Sequence, residues 1–227
     1  MQTKNCLKIE EIDMIRIKKE EPHFCKVCFS EIRRRSFYAF VNEKIFLCDR
    51  CMSKISAKFH YFKVGKYSGM AIFDYDAELK KLIYQFKGCF DIELKQIFLE
   101  RYAKEIAVMY KGYVVVPAPS YEEENKIREF NHVNEIFKQI NLEMEPCIEK
   151  TTRFKQAEHK SSGRSEIGKH LKLVDGTELE NKKVLLVDDV YTTGSTIKAM
   201  ISLIEPLKPK KIKILVISKT VLKPIDT

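Results

Sequence analysis

The 227-residue chain has no run of 18 or more apolar residues, so no membrane-spanning helix and no membrane insertion are expected. Its opening stretch, MQTKNCLKIEEIDMIRIKKEE, mixes charges with single apolar residues. It lacks the apolar block of a signal peptide, which predicts a cytoplasmic protein. Neither an internal repeat nor a low-complexity tract occurs. There is no Gly-x-Gly-x-x-Gly, which excludes the dinucleotide-binding fingerprint. No helix-turn-helix pattern is visible, which argues against an operator-binding regulator.

What is present describes an ordered protein. Hydrophobic residues make up 44% and charged residues 32%, enough for a normal core and unlike a disordered chain. The length suits one main domain plus a small module. The net charge of +9 is uneven. Residues 1–67 hold 15 Lys and Arg against 8 Asp and Glu, or +7, whereas residues 68–227 hold 26 against 24, or +2. The basic N-terminal third suits an anionic partner such as nucleic acid, or equally a solvated basic surface.

Three parts can be distinguished: residues 1–22, 23–60 and 61–227. The first shows a loose alternation of isoleucines and reads as an edge strand or an arm. Within the second, Phe37 to Val41 and Ile45 to Leu47 read as a hairpin. In the third, Gly69 to Tyr75 reads as a strand, and Asp76 as the N-cap of a helix over Glu78 to Phe86 that Gly88 ends. Leu94, Ile97, Phe98, Tyr102, Ile106 and Met109 predict one long amphipathic helix, stopped by Gly112. Tyr113 to Val116 is a short apolar strand before Pro117 and Pro119. Val133, Ile136, Phe137 and Ile140 mark another helix, and the polar stretch 150–170 a mobile loop. Val184 to Val187 and Ile212 to Ile217 read as strands. Between them lies a helix with Ile197, Met200, Ile201 and Ile204 on one stripe. Alternating strands and helices predict an α/β fold with a mainly parallel sheet.

Seven cysteines are present, and four form two close pairs. Cys25-x2-Cys28 and Cys48-x2-Cys51 give a four-thiolate zinc pattern, each pair on a tight turn and the hairpin bringing the pairs together. With four protein ligands no position stays open for water, so the expected zinc is structural. Arg33, Arg34, Arg35, Lys54 and Lys58 lie in or after this module, with Phe37, Tyr38 and Phe40. These residues suit single-stranded DNA, tracking phosphates and stacking bases, or the aromatics form the module's own core. His60, His132, His159 and His170 show no metal-like spacing.

The segment Lys183-Val-Leu-Leu-Val-Asp188-Asp189-Val-Tyr-Thr192-Thr193-Gly194-Ser195-Thr196-Ile197 is the most informative. An apolar strand leads to two adjacent acids, then a loop of hydroxyls around one glycine opens a helix. Backbone N–H groups at a helix start make an anion site, and Gly194 allows close approach of a phosphate. The position five before Gly194 is Asp189 and no lysine follows the glycine, so the loop is not a Walker A loop. Two acids would repel a phosphate beside them. They suit the paired hydroxyls of a sugar, with the phosphate a few residues further on.

This segment resembles the 5-phosphoribosyl 1-diphosphate (PRPP) binding motif of type I phosphoribosyltransferases. The cysteine pairs, Leu82-Ile-Tyr-Gln-Phe-Lys-Gly88, Val116-Pro-Ala-Pro119, Arg128-Glu-Phe-Asn131, Gln156 and Arg164 follow in the order seen in the ComF family. Those proteins are bacterial competence factors in which a zinc ribbon is fused to a phosphoribosyltransferase-type domain. The resemblance covers about residues 23–218. It implies that Asp188 and Asp189 hold the ribose 2′ and 3′ hydroxyls. Thr192, Thr193, Gly194, Ser195 and Thr196 would then cradle the 5′-phosphate. Val116 to Ser120, including Ala118 and Pro119, would form the pyrophosphate loop. Residues 153–166 would be a flexible hood whose Arg164 or Lys160 reaches the diphosphate. It further implies Mg²⁺ bridging diphosphate and ribose oxygens mostly through water, and a role in transformation with single-stranded DNA and DNA-uptake proteins as partners. A phosphoribosyltransferase with a non-purine acceptor is the alternative, because Thr192 stands where purine-salvage enzymes commonly carry an acid. Family members often carry arginines after Pro-x-Pro and a glycine before Phe-Asn; here Glu122, Glu123 and Glu124 stand in the first place and Glu129 in the second.

Overall fold

Runs rich in Val, Ile and Leu form strands here, and stripes at helical spacing cover them. The computed structural model describes residues 23–32, 46–151 and 170–221. The N-terminal arm, the hairpin from Phe37, Arg33, Arg34, Arg35, Tyr38 and the hood with Gln156, Lys160 and Arg164 lie outside the described residues. The strands are β1 (His60–Val64), β2 (Tyr67–Asp74), β3 (Tyr113–Pro117), β4 (Ile148–Lys150), β5 (Leu171–Leu173), β6 (Lys183–Tyr191) and β7 (Lys211–Lys219). The helices are α1 (Asp49–Lys54), α2 (Ala77–Gly88), α3 (Lys95–Leu99), α4 (Ala103–Met109), α5 (Glu122–Arg128), α6 (His132–Phe137) and α7 (Ser195–Ile204).

Five strands form one sheet in the order β1-β2-β7-β6-β3, and β4 pairs with β5 apart from it. β2, β7, β6 and β3 run parallel, while β1 adds an antiparallel edge to β2. The fold is thus the mainly parallel α/β architecture expected. Period-two alternation sends Leu185, Val187, Leu215 and Ile217 to one face, under α2, α3, α4 and α6. Val184, Leu186, Ile214 and Val216 go to the other face, under α7. The neighbouring strands β3 and β6 therefore send their following helices to opposite faces. That is the arrangement that opens a crevice at the carboxyl ends of parallel strands.

Asp76 caps α2 as expected, its Oδ1 accepting from Leu79 N at 2.9 Å. The apolar stripe of α7 is buried along its length. Two expectations are corrected. Residues 92–109 are not one helix but two short α-helices and two 3-10 turns, 92–94 and 100–102. The break lets Leu94, Ile97, Phe98, Leu99 and Ala103 all reach the core, which a straight stripe could not do, and it leaves Met109 exposed. Strand β6 does not end before the acids. Its ladder with β7 continues through Asp188–Val216 to Tyr191–Lys219, so the acids lie inside the strand.

The cysteine segments share the core of the sheet. Cys25, Leu47 and Cys51 belong to the cluster that contains Leu79, Leu82, Phe86 and Phe98. Lys26 Nζ pairs with Glu93 at 2.5 Å and Lys54 with Glu78 at 3.6 Å, pinning both cysteine segments to the helical face.

Candidate functional site

The cysteines converge as the spacing predicts. Their four sulfur atoms lie within 4.8 Å of one another. Zinc–sulfur bonds of about 2.3 Å place tetrahedral sulfurs roughly 3.8 Å apart, and Cys28 Sγ to Cys48 Sγ is 3.6 Å. The donor set fits a structural zinc. The first pair sits on a turn closed by Phe29 N donating to Cys25 O at 2.9 Å, with Phe29 in the left-handed region at φ 56°. The second pair is different from the expected tight turn: Cys48 is the N-cap of α1 and Cys51 lies in its first turn. Hydrogen bonds from Ser30, whose Oγ lies 3.0 Å from Cys28 Sγ, bring that thiol down to about 6, which favours the thiolate a metal needs.

The acid pair is the second centre. Both acids are buried. Adjacent strand residues point to opposite faces, so Asp189 turns toward α2 and α6 while Asp188 turns toward α7. Asp189 Oδ2 receives Lys87 Nζ at 2.6 Å, and His132 Nε2 lies 3.3 Å from it. Arg128 Nη1 lies 3.1 Å from His132 Nδ1. An arginine nitrogen can only donate, so Nδ1 accepts and the imidazole proton sits on Nε2, facing Asp189. Arg128 Nε donates to Lys87 O at 2.9 Å, closing the ring of contacts. Ser120 Oγ, 3.4 Å from His132 Nδ1, brings in the loop after β3.

This surrounding separates two chemically identical acids. Burial alone would raise Asp189, but the hydrogen bond from His132 and the charge of Lys87 outweigh it and hold Asp189 well below the usual carboxylate range. Asp188 is pushed well above that range by burial and then by the charge of Asp189. The two neighbours are thus shifted in opposite directions by their surroundings. Asp188 Oδ1 accepts from Asp189 N at 2.9 Å. Lys150, over the Tyr121 ring at 4.6 Å, is held below the usual lysine range by burial despite the attraction of Asp188 and Glu124. Lys87 answers the charge of Asp189 within this buried pair.

Beyond β6, Thr192 and Thr193 are exposed, Gly194 is buried, and Ser195 and Thr196 are half-buried at the start of α7. Gly194 is the N-cap of that helix at φ 72°. A Cβ there would meet Tyr191 Cζ at 2.5 Å. Thr193 Oγ1 and Ser195 Oγ lie 3.1 Å apart across the loop. Of the segment Val116 to Ser120, Val116 and Pro117 belong to β3, and Ala118 N donates to Val187 O at 2.8 Å. Pro119 has no N–H. The donors this loop can turn on an anion therefore begin at Ser120 and Tyr121.

Lys87, Arg128 and His132 gained no role from sequence spacing. Lys87 and Arg128 lie in the two segments that carried the resemblance, Leu82 to Gly88 and Arg128 to Asn131, and His132 follows the second. Only the fold brings Lys87 and His132 to Asp189, with Arg128 bonded to His132 and to the Lys87 carbonyl. Glu129, standing in place of a glycine, ends α5 at φ 65°.

Comparison with known proteins agrees with this layout. Residues 128–222 match the phosphoribosyl transferase domain family. The chain is 28% identical over 174 residues to the competence protein ComFC of Streptococcus pneumoniae, covering 73% of this chain and 77% of that one. It is 23% identical over 129 residues to ComFC of Bacillus subtilis, covering 56% of this chain and 53% of that one. A hypoxanthine phosphoribosyltransferase from Staphylococcus aureus superposes with a TM-score of 0.36 at 16% identity, covering 55% of this chain and 72% of that one, too weak a likeness to carry weight.

Proposed function

This chain belongs to the ComF family, competence-associated proteins with a phosphoribosyltransferase-type domain, and from that premise we propose that it binds PRPP with Mg²⁺ in the crevice between β3 and β6 and handles single-stranded DNA during transformation. The observation that carries the reading is the buried acid pair near the carboxyl end of β6, with Lys87 and His132 on Asp189, beside a hydroxyl-rich helix start.

A vicinal diol is both donor and acceptor. Asp188 and Asp189, adjacent near the carboxyl end of β6, would hold the ribose 2′ and 3′ hydroxyls, each carboxyl group taking one hydroxyl. Gly194 and the first N–H groups of α7, with Thr192, Thr193, Ser195 and Thr196, take the 5′-phosphate. Ser120 and Tyr121 would meet the diphosphate, and Arg164 or Lys160 is the basic candidate from the hood segment. Direct metal coordination at Asp189 Oδ2 competes with the Lys87 ammonium. A Mg²⁺ ion would supply charge that balances the diphosphate, with Asp188 and Asp189 the acids available to hold it through water. Loss of diphosphate would leave positive character at the anomeric carbon, which a carboxylate of the acid pair would stabilise. The basic residues Arg33, Arg34 and Arg35, with Tyr38, are the DNA-contacting candidates of the cysteine module.

Calorimetric titration of the whole chain with PRPP, with and without Mg²⁺, tests the ligand. Binding should be present in the parent and lost in the Asp188→Ala, Asp189→Ala double variant. Equal affinity in the two proteins would reject the site.

A further inference from the structure

The helix-covered face of the sheet is not covered to its lower edge. Residues paired across a ladder share a face, so the registers show what lies there. Lys183 pairs with Lys211 and with Tyr113. One row up, Lys213 pairs with Leu185, and at the other end of the same face Lys63 pairs with Ser68. Tyr61 pairs with Met70, a residue of the core on this face. The amino-terminal end of the face thus presents Lys63, Lys183, Lys211 and Lys213, with the Tyr61 ring 76% exposed beside them. Lys213 Nζ and Lys183 Nζ each lie 5.8 Å from a ring centroid, over Tyr110 and Tyr113. Among the described residues none of the four lysines is ion-paired.

Such an arrangement needs a reason. Lys183 and Lys211 stand side by side on neighbouring strands, roughly 5 Å apart at the backbone, where like charges repel. A carboxylate on either strand would relieve this, and the rows contain none. What satisfies four ammonium groups without an ion-pair partner among the described residues, near an exposed aromatic ring, is a flexible polyanion with planar groups to stack. We propose that this corner of the sheet, at the end opposite the acid pair, is a binding surface for a single-stranded polynucleotide, with the lysines on phosphates and Tyr61 under a base. The proposal rests on the DNA handling proposed above and assigns it residues other than Arg33, Arg34 and Arg35. A strand held here leaves the crevice between β3 and β6 open, so nucleotide and PRPP bind together without competing.

The test is salt-titrated fluorescence anisotropy of the full chain with a labelled deoxyoligonucleotide, and in parallel with the ribo-oligonucleotide of the same sequence to show which sugar is preferred. A Lys183→Gln, Lys211→Gln, Lys213→Gln variant should bind more weakly and lower the log–log salt slope by about 2, because each single-strand phosphate contact contributes about 0.7. Tyr61→Ala should weaken binding about fivefold or more and leave the slope unchanged. Both variants should keep the parent's melting temperature and its PRPP titration, since the lysines and Tyr61 lie on the surface. If the parent binds no oligonucleotide, the proposed DNA handling falls and this surface with it. If the parent binds and both variants bind alike with an unchanged slope, the surface alone is wrong. Loss of binding to phosphatidylserine vesicles in the lysine variant, with oligonucleotide binding intact, would overturn the assignment in favour of a lipid surface.

Discussion

The cysteine centre and the acid-pair centre are built in opposite ways. The four thiols come from two short segments, 25–28 and 48–51, and each segment sets its own pair by local geometry. The Asp189 cluster draws on α2, the loop after β3, α5, α6 and β6, and its first contact joins Lys87 to Asp189 across 102 residues. One centre is written in spacing and the other in topology. The cysteine centre should therefore fail when its metal is removed and tolerate changes elsewhere. The acid centre should respond to single changes on any of the elements that build it.

The largest effect expected is on the metal. Cys51→Ser or exhaustive chelation should release about one zinc per chain and cost most of an apparent metal contribution of ~10 kcal/mol or more. Because Cys25, Leu47 and Cys51 share the core with α2, calorimetry should show the whole chain losing stability, not a separate small transition. Next comes Lys87→Met, which leaves Asp189 buried without its cation. Removing one partner of a buried pair costs several kcal/mol, discounted here to about 2 kcal/mol because the Lys87 side chain is partly exposed. The pH dependence follows from the sign. Asp189 is depressed in the folded state, so its stabilisation is present above the unfolded carboxylate value near ~4 and is lost as pH falls below it. Asp188 is raised and works in the opposite sense, its share being lost as pH rises. In the Lys87→Met protein the acid-side loss should flatten, as read from urea midpoints between pH 5 and pH 2.

Gly194→Val should cost about 2 kcal/mol, because a β-branched residue is strained at φ 72° and its Cβ would press on Tyr191. Calorimetry with PRPP should show no binding by that variant. His132 separates a donor–acceptor role from mere bulk. Glutamine can accept from Arg128 and donate to Asp189, as this imidazole tautomer does, so His132→Gln should retain PRPP affinity. His132→Leu leaves both partners unsatisfied and should lower stability by about 1–2 kcal/mol and weaken PRPP. The smallest effect is a gain: Glu129→Gly relieves a left-handed residue and should raise stability by about 0.5–1 kcal/mol in thermal unfolding.

Legibility follows the same division. The individual strands, the Asp76 cap, the α7 stripe and the two cysteine pairs were legible because each depends on residues near one another in sequence, and their strand–helix alternation implied the parallel sheet. The break within residues 92–109 was not, since the apolar spacing there also fits one straight helix, and only the core's shape decides. Nor was the position of the acids within β6, which is set by how far β7 continues beside it. Nor were the partners of the acid pair, for the same reason. Lys87 and His132 are remote from Asp189 in sequence.

The central claim is that the crevice recognises a ribose diol and its phosphates together. Calorimetric titration of the full chain with PRPP, ribose 5-phosphate and inorganic pyrophosphate, each with Mg²⁺, tests it most directly. The account predicts affinity in the order PRPP, ribose 5-phosphate, pyrophosphate, with an Asp188→Asn, Asp189→Asn variant losing the first two and keeping whatever weak binding the third shows. Pyrophosphate binding as tightly as PRPP, with both ligands indifferent to the double substitution, would contradict it.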